Sequence, residues 1–242
     1  MGYSDSLGRV VRTDEVASRL HQLLSVADIT DDLILVGWSA GGIHVRNYYK
    51  QFPNDVAGII LVDSSHEQQQ SRMFDPSPPG GFDTRRLGAF LAPLGVVRLS
   101  GEIERAVSYG PGSDEHKQRT TAVQNQSHWL SAYLAEFDAF DLDQKMNLTP
   151  PSLGNLPLIV LTRGKEVQQG GMPSYYTLEI LQEREDAWQM MQKELVALST
   201  QGKQVIARES GHSIHLDQPE LIFDAVQEML TKVRSLQDQN ID

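Results

Sequence analysis

Leu33-Ile34-Leu35-Val36-Gly37-Trp38-Ser39-Ala40-Gly41 places a serine between two glycines, directly behind four consecutive apolar residues. An apolar run of that length without alternation predicts a strand buried on both faces of a parallel sheet. Residues from Ala40 to about Tyr49 suit a helix that stops before Phe52-Pro53-Asn54. The serine thus falls on a strand-to-helix turn. Gly37-Trp38-Ser39-Ala40-Gly41 fits the pattern G-x-S-x-G, in which a strained turn exposes the serine hydroxyl and the glycines let strand and helix pass closely. At ordinary glycine content the bare pattern arises by chance, and its place between strand and helix is what makes it informative. Ser39 is the candidate nucleophile, with an ordinary glycine-rich turn as the alternative.

Working outward, Thr13-Asp14-Glu15 predicts a capped helix start, followed by Val16, Leu20, Leu23 and Leu24 at helical spacing. Beyond the serine, Val56-Ala57-Gly58-Ile59-Ile60-Leu61-Val62 predicts a second buried strand. Strand, helix and strand with short connections form a βαβ unit, with parallel pairing and a right-handed crossover. The texture changes at about Glu67. After Pro78-Pro79-Gly80-Gly81 the chain carries helical patterns such as Trp129, Leu130, Tyr133, Leu134 and Phe137, without a strand signal, to about Thr149. Leu156-Pro157-Leu158-Ile159-Val160-Leu161-Thr162 then restores the parallel-strand pattern. A long helix from about Tyr175 to Leu198 and a last strand, Gln204 to Arg208, follow, and Asp217-Gln218-Pro219-Glu220 is expected to cap a final helix. The expected organisation is an α/β core of residues 1–66 and 150–242, with a helical lid inserted at 67–149.

The 242 residues, 40% hydrophobic and 22% charged, are ordinary for a globular chain. A formal charge of −11 argues against nucleic acid and anionic membranes as partners, because phosphate binding needs clustered Lys and Arg. Small neutral or apolar molecules fit better. There is no signal-peptide pattern and no uncharged apolar run of about 18 residues, so no membrane role is expected. The lack of cysteine removes disulfides, thiolate nucleophiles and cysteine-ligated metals, and is compatible with a cytoplasmic location. Neither a metal nor a cofactor is called for. Oligomeric state leaves no signal.

A serine hydroxyl attacks poorly at neutral pH unless a base takes its proton and later returns it to the leaving group. Seven histidines are present. His212, in Ser210-Gly211-His212-Ser213, lies just past the last predicted strand, on the edge where such sheets carry their sites. His215 is the nearby rival, with a loop-packing role as its plainer explanation. His44 sits one turn into the helix after Ser39 and is expected to pack there. A carboxylate must then fix the imidazole tautomer. Asp63, at the end of the strand beside the serine's own, and Glu166, after Arg163-Gly164-Lys165, both qualify. Asp63 is favoured by its place, against plainer readings as a turn cap (Asp63) or a solvated loop charge (Glu166).

These segments together resemble a bacterial member of the α/β-hydrolase superfamily. The resemblance rests on Gly37-Trp38-Ser39-Ala40-Gly41-Gly42, Gly58-Ile59-Ile60-Leu61-Val62-Asp63, Leu156-Pro157-Leu158-Ile159-Val160-Leu161, Ser210-Gly211-His212 and Leu216-Asp217-Gln218-Pro219-Glu220, in the family's order. It implies an α/β-hydrolase fold, a mostly parallel sheet flanked by helices, and esterase-like chemistry. Ser39 would be acylated and water would release the acyl group, with His212 as acid and base and the Ala40 N–H as one oxyanion donor. Most members carry the acid after the strand matching Leu156 to Thr162, where this chain has Glu166 and no Asp. A minority carry it where Asp63 stands. Met1-Gly2-Tyr3-Ser4-Asp5 resembles the tail of a family segment normally preceded by further strands and by the loop that gives a second oxyanion donor. About four strands are therefore expected, half the family's number, as in a fragment or a shortened protein, and activity is expected to suffer. Leu87, Phe90, Leu91, Leu94 and Trp129 suit either an apolar acyl substrate or simply the interior of the lid. A hydrolase-fold protein that binds a ligand or partner without turnover is the alternative function, and a related perhydrolase or C–C bond hydrolase would share the same three residues.

Overall fold

In the computed structural model, which describes residues 9–73, 75, 84–101, 103, 113–145, 149–168 and 173–239, helices and strands alternate at both ends of the chain and helices alone fill the middle. The elements run α1 (Thr13–Val26), β1 (Leu33–Trp38), α2 (Ala40–Gln51), β2 (Val56–Val62), α3 (Gln69–Arg72), α4 (Thr84–Leu91) and α5 (Val96–Ser100). They continue α6 (Asp114–Gln124), α7 (Trp129–Lys145), β3 (Leu158–Arg163), α8 (Leu178–Val196), β4 (Gly202–Ala207), α9 (Ile214–Asp217) and α10 (Pro219–Gln239). The chain divides into two compact units, Arg12–Ser77 with Asp143–Asp242, and Met1–Val11 with Pro78–Leu142.

In the first unit the four strands lie in the order β1-β2-β3-β4, and every neighbouring pair is parallel. Side chains of a strand alternate between faces, and the inner strands use both. Ile59, Leu61, Leu158 and Val160 pack with Ala17 of α1, Val45 and Tyr48 of α2 and Leu195 of α8. Ile60, Val62, Ile159 and Leu161 pack instead against Ala225, Met229 and Val233 of α10. Removing each such side chain from water contributes about 1.5–3 kcal/mol before entropy is counted. At Gly58 a methyl group would overlap the Met229 side chain, so the missing side chain lets α10 approach β2.

Two local expectations change. β1 is not buried on both faces: Val36 and Trp38 are 46% and 43% exposed, because among the described residues β1 pairs with β2 alone. Thr13 is the first residue of α1 and not its cap. Asp143, remote in sequence, receives the Thr13 N–H at 3.0 Å and the Thr13 hydroxyl at 2.6 Å, putting a carboxylate at the positive end of the helix. Helix α10 begins at Pro219, as expected, and the two residues before it hold the preceding loop: Asp217 accepts from Gly211 N–H at 3.0 Å, and Gln218 Oε1 from Glu209 N–H at 3.0 Å.

The second unit contains no strand among its described residues. In it Trp129 stacks on Tyr133 with ring centroids 5.2 Å apart, Arg86 pairs with Asp138 at 2.6 Å, and the Ser113 hydroxyl caps α6 by accepting from His116 N–H at 3.2 Å. Pro78-Pro79-Gly80-Gly81, which marks the expected start of the insertion, lies outside the described residues. Among those described, no helix is long and apolar enough to cross a membrane.

Candidate active site

Parallel register brings the ends of three strands to one edge of the sheet. Trp38 stands beside Val62 and Val62 beside Leu161, so the residues that follow, Ser39 and Asp63, leave neighbouring strands side by side. Ser39 has φ 53° and ψ −126°, and Asp63 has φ 39°. A non-glycine residue in such a region costs on the order of 1–3 kcal/mol and persists only where its surroundings fix it.

Several contacts fix Ser39. Its N–H donates to the Val62 carbonyl at 3.1 Å, while its own carbonyl accepts from Gly42 N–H at 3.0 Å and Ser65 N–H at 2.9 Å. A Cβ at Gly37 would come within 2.7 Å of the Gly41 carbonyl oxygen and the Gly42 Cα, and one at Gly42 would overlap the Ser64 side chain. Around Gly41 nothing lies within 4 Å, so close packing demands the first glycine of the motif and the one after it, not its last. Gly37→Ala is expected to destabilise the protein by about 1–3 kcal/mol, because backbone would have to move. Gly41→Ala, inside α2, is expected to be neutral or to stabilise by up to about 1 kcal/mol. Denaturant unfolding of the two variants decides this, and equal midpoints would sink it.

Asp63 is fully buried. Its Oδ1 accepts the Arg163 backbone N–H at 3.1 Å and the Trp188 indole N–H at 2.9 Å. Its Oδ2 lies 2.6 Å from His212 Nδ1 and 3.2 Å from an Arg163 guanidinium nitrogen. An ionised carboxylate can only accept, which assigns the proton to Nδ1 and leaves Nε2 free to accept. The Ser39 hydroxyl donates to that Nε2 at 3.0 Å. His212 itself rides on a loop tied at several points. Ser210 N–H donates to the Ala207 carbonyl at 3.1 Å, and Lys165 N–H donates to the Ser210 carbonyl at 3.1 Å. The Trp38 indole N–H donates to the His212 carbonyl at 2.9 Å.

The structure therefore brings Ser39, His212 and Asp63 together and leaves Glu166 apart, exposed on the loop after β3. His215 packs edge-on against Trp38 at 4.7 Å, with its Nδ1 buried and unpartnered, as the loop-packing alternative has it. The imidazole of His44, held below its ordinary pKa mainly by burial, is neutral at pH 7 and is not hydrogen-bonded to the group. Ala40 is the first residue of α2, where the helix offers its N–H no acceptor and the helix dipole favours negative charge. Met1-Gly2-Tyr3-Ser4-Asp5 lies outside the described residues. Among the described residues, no group of three or more His, Asp or Glu could hold a metal ion.

Sequence reasoning missed the groups around this trio. Trp38 and Trp188 act through their indole N–H groups, and Arg163 through both backbone and side chain. Arg46, fully buried, donates to Glu67 at 2.9 Å, to Ser64 Oγ at 2.9 Å and to the Ser65 carbonyl at 2.8 Å. It thus ties α2 to the segment whose Ser65 N–H holds the Ser39 carbonyl.

The sequence model of the Alpha/beta hydrolase family matches residues 2–225. An uncharacterized protein of Bacillus subtilis, YqjL, is 22% identical over 219 residues, which is 90% of this chain and 65% of that one. An uncharacterized protein of Schizosaccharomyces pombe is 23% identical over 180 residues, 70% of this chain and 31% of that one. The chain thus spans less than two thirds of either curated relative. A thermophilic esterase from Thermogutta terrifontis has a similar structure, with a TM-score of 0.57 and 21% identity over 96% of this chain and 77% of that one. With the family model covering nearly all of the sequence and a parallel sheet that carries a serine on its strand-to-helix turn, this chain belongs to the alpha/beta hydrolase family.

Proposed function

We propose that the chain is a serine hydrolase cleaving an ester or a similar acyl bond through Ser39, His212 and Asp63. The observation that carries this is the unbroken hydrogen-bond line from the Ser39 hydroxyl through His212 to Asp63, at 3.0 Å and 2.6 Å. Ser39 Oγ bonds to the substrate carbonyl carbon as His212 Nε2 takes the hydroxyl proton. The tetrahedral oxyanion is met by the Ala40 N–H, a preorganised donor at the start of a helix. Collapse breaks the bond to the leaving oxygen, which receives the proton from His212, and leaves an acyl ester on Ser39. Water then adds to that ester, gives its proton to His212 and releases the acid, and the proton returns to Ser39. Asp63 keeps its charge throughout, holding the imidazole and stabilising the imidazolium.

The helical insertion expected at 67–149, most of which forms the second compact unit, serves in this proposal to select the substrate. Its Leu87, Phe90 and Leu94 favour an apolar acyl group. No cofactor or metal enters any step. The similar structure from Thermogutta terrifontis is that of an esterase, the same class of chemistry. A fluorophosphonate probe tests the proposal. Mass spectrometry of digested, labelled protein is expected to find the phosphonyl group on the peptide holding Ser39. Folded protein that stays unmodified, or that is modified elsewhere, favours the non-catalytic alternative, a hydrolase-fold protein that binds without turnover.

A further inference from the structure

We infer that Trp188 and Arg163 are positioning residues that fix the Asp63 carboxylate against His212, with Glu185 and Gln189 holding Arg163 for that task. This rests on the acyl-transfer role proposed for Ser39, His212 and Asp63, and adds the groups that make the third member effective. A fully buried carboxylate has to find donors for its lone pairs or bear a large desolvation cost. It offers about four acceptor directions, and donors meet all of them. Arg163 N–H and the Trp188 indole take Oδ1 at 3.1 Å and 2.9 Å; the Arg163 guanidinium and His212 take Oδ2 at 3.2 Å and 2.6 Å. Groups on β3 and α8 close three directions, which leaves the fourth aimed at the imidazole. Rotation of the carboxylate would break the indole bond and the Arg163 contacts together.

Arg163 is itself held. Its Nε and a terminal nitrogen donate to Glu185 Oε2 at 2.9 Å and 2.6 Å, and its guanidinium carbon lies 4.4 Å from the Trp188 ring centroid. Gln189 donates to Glu185 Oε1 at 2.7 Å and to the Arg163 carbonyl at 2.8 Å. Glu185, Trp188 and Gln189 are spaced i, i+3, i+4 on α8 and so share one face of the helix. Gln192, at i+7, extends that face by donating to the Ser64 carbonyl at 2.7 Å. One helix face is thus given over to the ends of β2 and β3. The cation beside the buried carboxylate, lying over an indole face, offsets part of the cost of burying both charges.

Trp188→Phe removes the indole N–H and keeps a buried ring; Arg163→Met removes the guanidinium. Each is expected to lower kcat on p-nitrophenyl acetate roughly 10- to 100-fold with KM within about twofold, the cost of a misplaced catalytic group. In an Asp63→Asn background either change is expected to cost less than about twofold more, because coupled residues do not add. A second readout is independent of turnover. In histidine-labelled protein the His212 Nδ1–H proton is expected as a resolved downfield NMR resonance in the parent chain and in Ser39→Ala, broadened by exchange in Trp188→Phe. Folded Trp188→Phe and Arg163→Met proteins with unchanged kcat and resonance overturn the positioning role and leave the acyl-transfer role intact. A parent chain that hydrolyses no ester, yet whose resonance responds to Trp188→Phe, supports positioning and sinks the acyl-transfer role.

Discussion

Asp63→Asn is expected to lower kcat for ester hydrolysis by about four orders of magnitude while the protein stays folded, the scale seen when a triad carboxylate becomes an amide. The surroundings of Asp63 dictate how the amide sits. The Trp188 indole and the Arg163 backbone both donate to Oδ1, so an asparagine has to put its carbonyl oxygen there. Its NH2 group then replaces Oδ2 and faces His212 Nδ1 and the Arg163 guanidinium, donor against donor. His212 relieves the conflict by carrying its proton on Nε2, and an Nε2–H cannot accept from the Ser39 hydroxyl. The base is lost although every heavy atom keeps its place. KM is expected to change little, since Asp63 is fully buried and has no surface to offer a substrate. Glu166→Gln, on an exposed loop residue, is expected to alter kcat by less than about twofold, as surface substitutions usually do. Steady-state kinetics of both variants on one ester separates the candidates. A larger loss in Glu166→Gln than in Asp63→Asn would reassign the acid.

How much of this site could be read from the chain depends on how local its causes are. Ser39 was legible because an apolar run, a glycine and a helix start surround it within a dozen residues. Asp63 and His212 were legible as polar residues just past predicted strands, and parallel strands have to end at one edge. The supporting groups depend on packing between distant segments. Trp188 looks like one more apolar residue of a helical stripe with Met191 and Leu195; its indole N–H matters only because α8, packed on β3 and β4, brings it to Asp63 just past β2. Polar Glu185, Gln189 and Gln192 on the Trp188 face of that helix were the available signal, since a stripe meant only for a core would not carry them. For β1, an apolar run reports that a strand is buried but not how many neighbours it has, and Val36 and Trp38 are half-exposed as a result. Thr13 had the chemistry of a cap, yet the capping carboxylate came from Asp143, which no local pattern names.

Arg46→Met is expected to destabilise the protein by about 3–5 kcal/mol, the usual cost of removing one partner of a buried ion pair. For a chain of this size that is a fall in Tm of roughly 6–20 °C. Arg46 is fully buried and spends its donors on Glu67, Ser64 and the Ser65 carbonyl. Without it, Glu67, a buried residue, is left with a carboxylate that has lost its cation. Replacing both partners by apolar residues removes that charge as well, so Arg46→Met combined with Glu67→Leu is expected to recover much of the lost stability. The two variants should part company in activity. Arg46 also holds the segment whose Ser65 N–H bonds the Ser39 carbonyl at 2.9 Å, and an apolar pair cannot donate to the Ser65 carbonyl. The double variant is therefore expected to regain its Tm but to remain slower than the parent on the same ester. Thermal unfolding followed by circular dichroism, with kinetics on the same samples, checks both halves. A single variant that melts within about 1 °C of the parent would mean that Glu67 finds another partner, and a double variant with full activity would mean that the Ser39 turn needs nothing from Arg46.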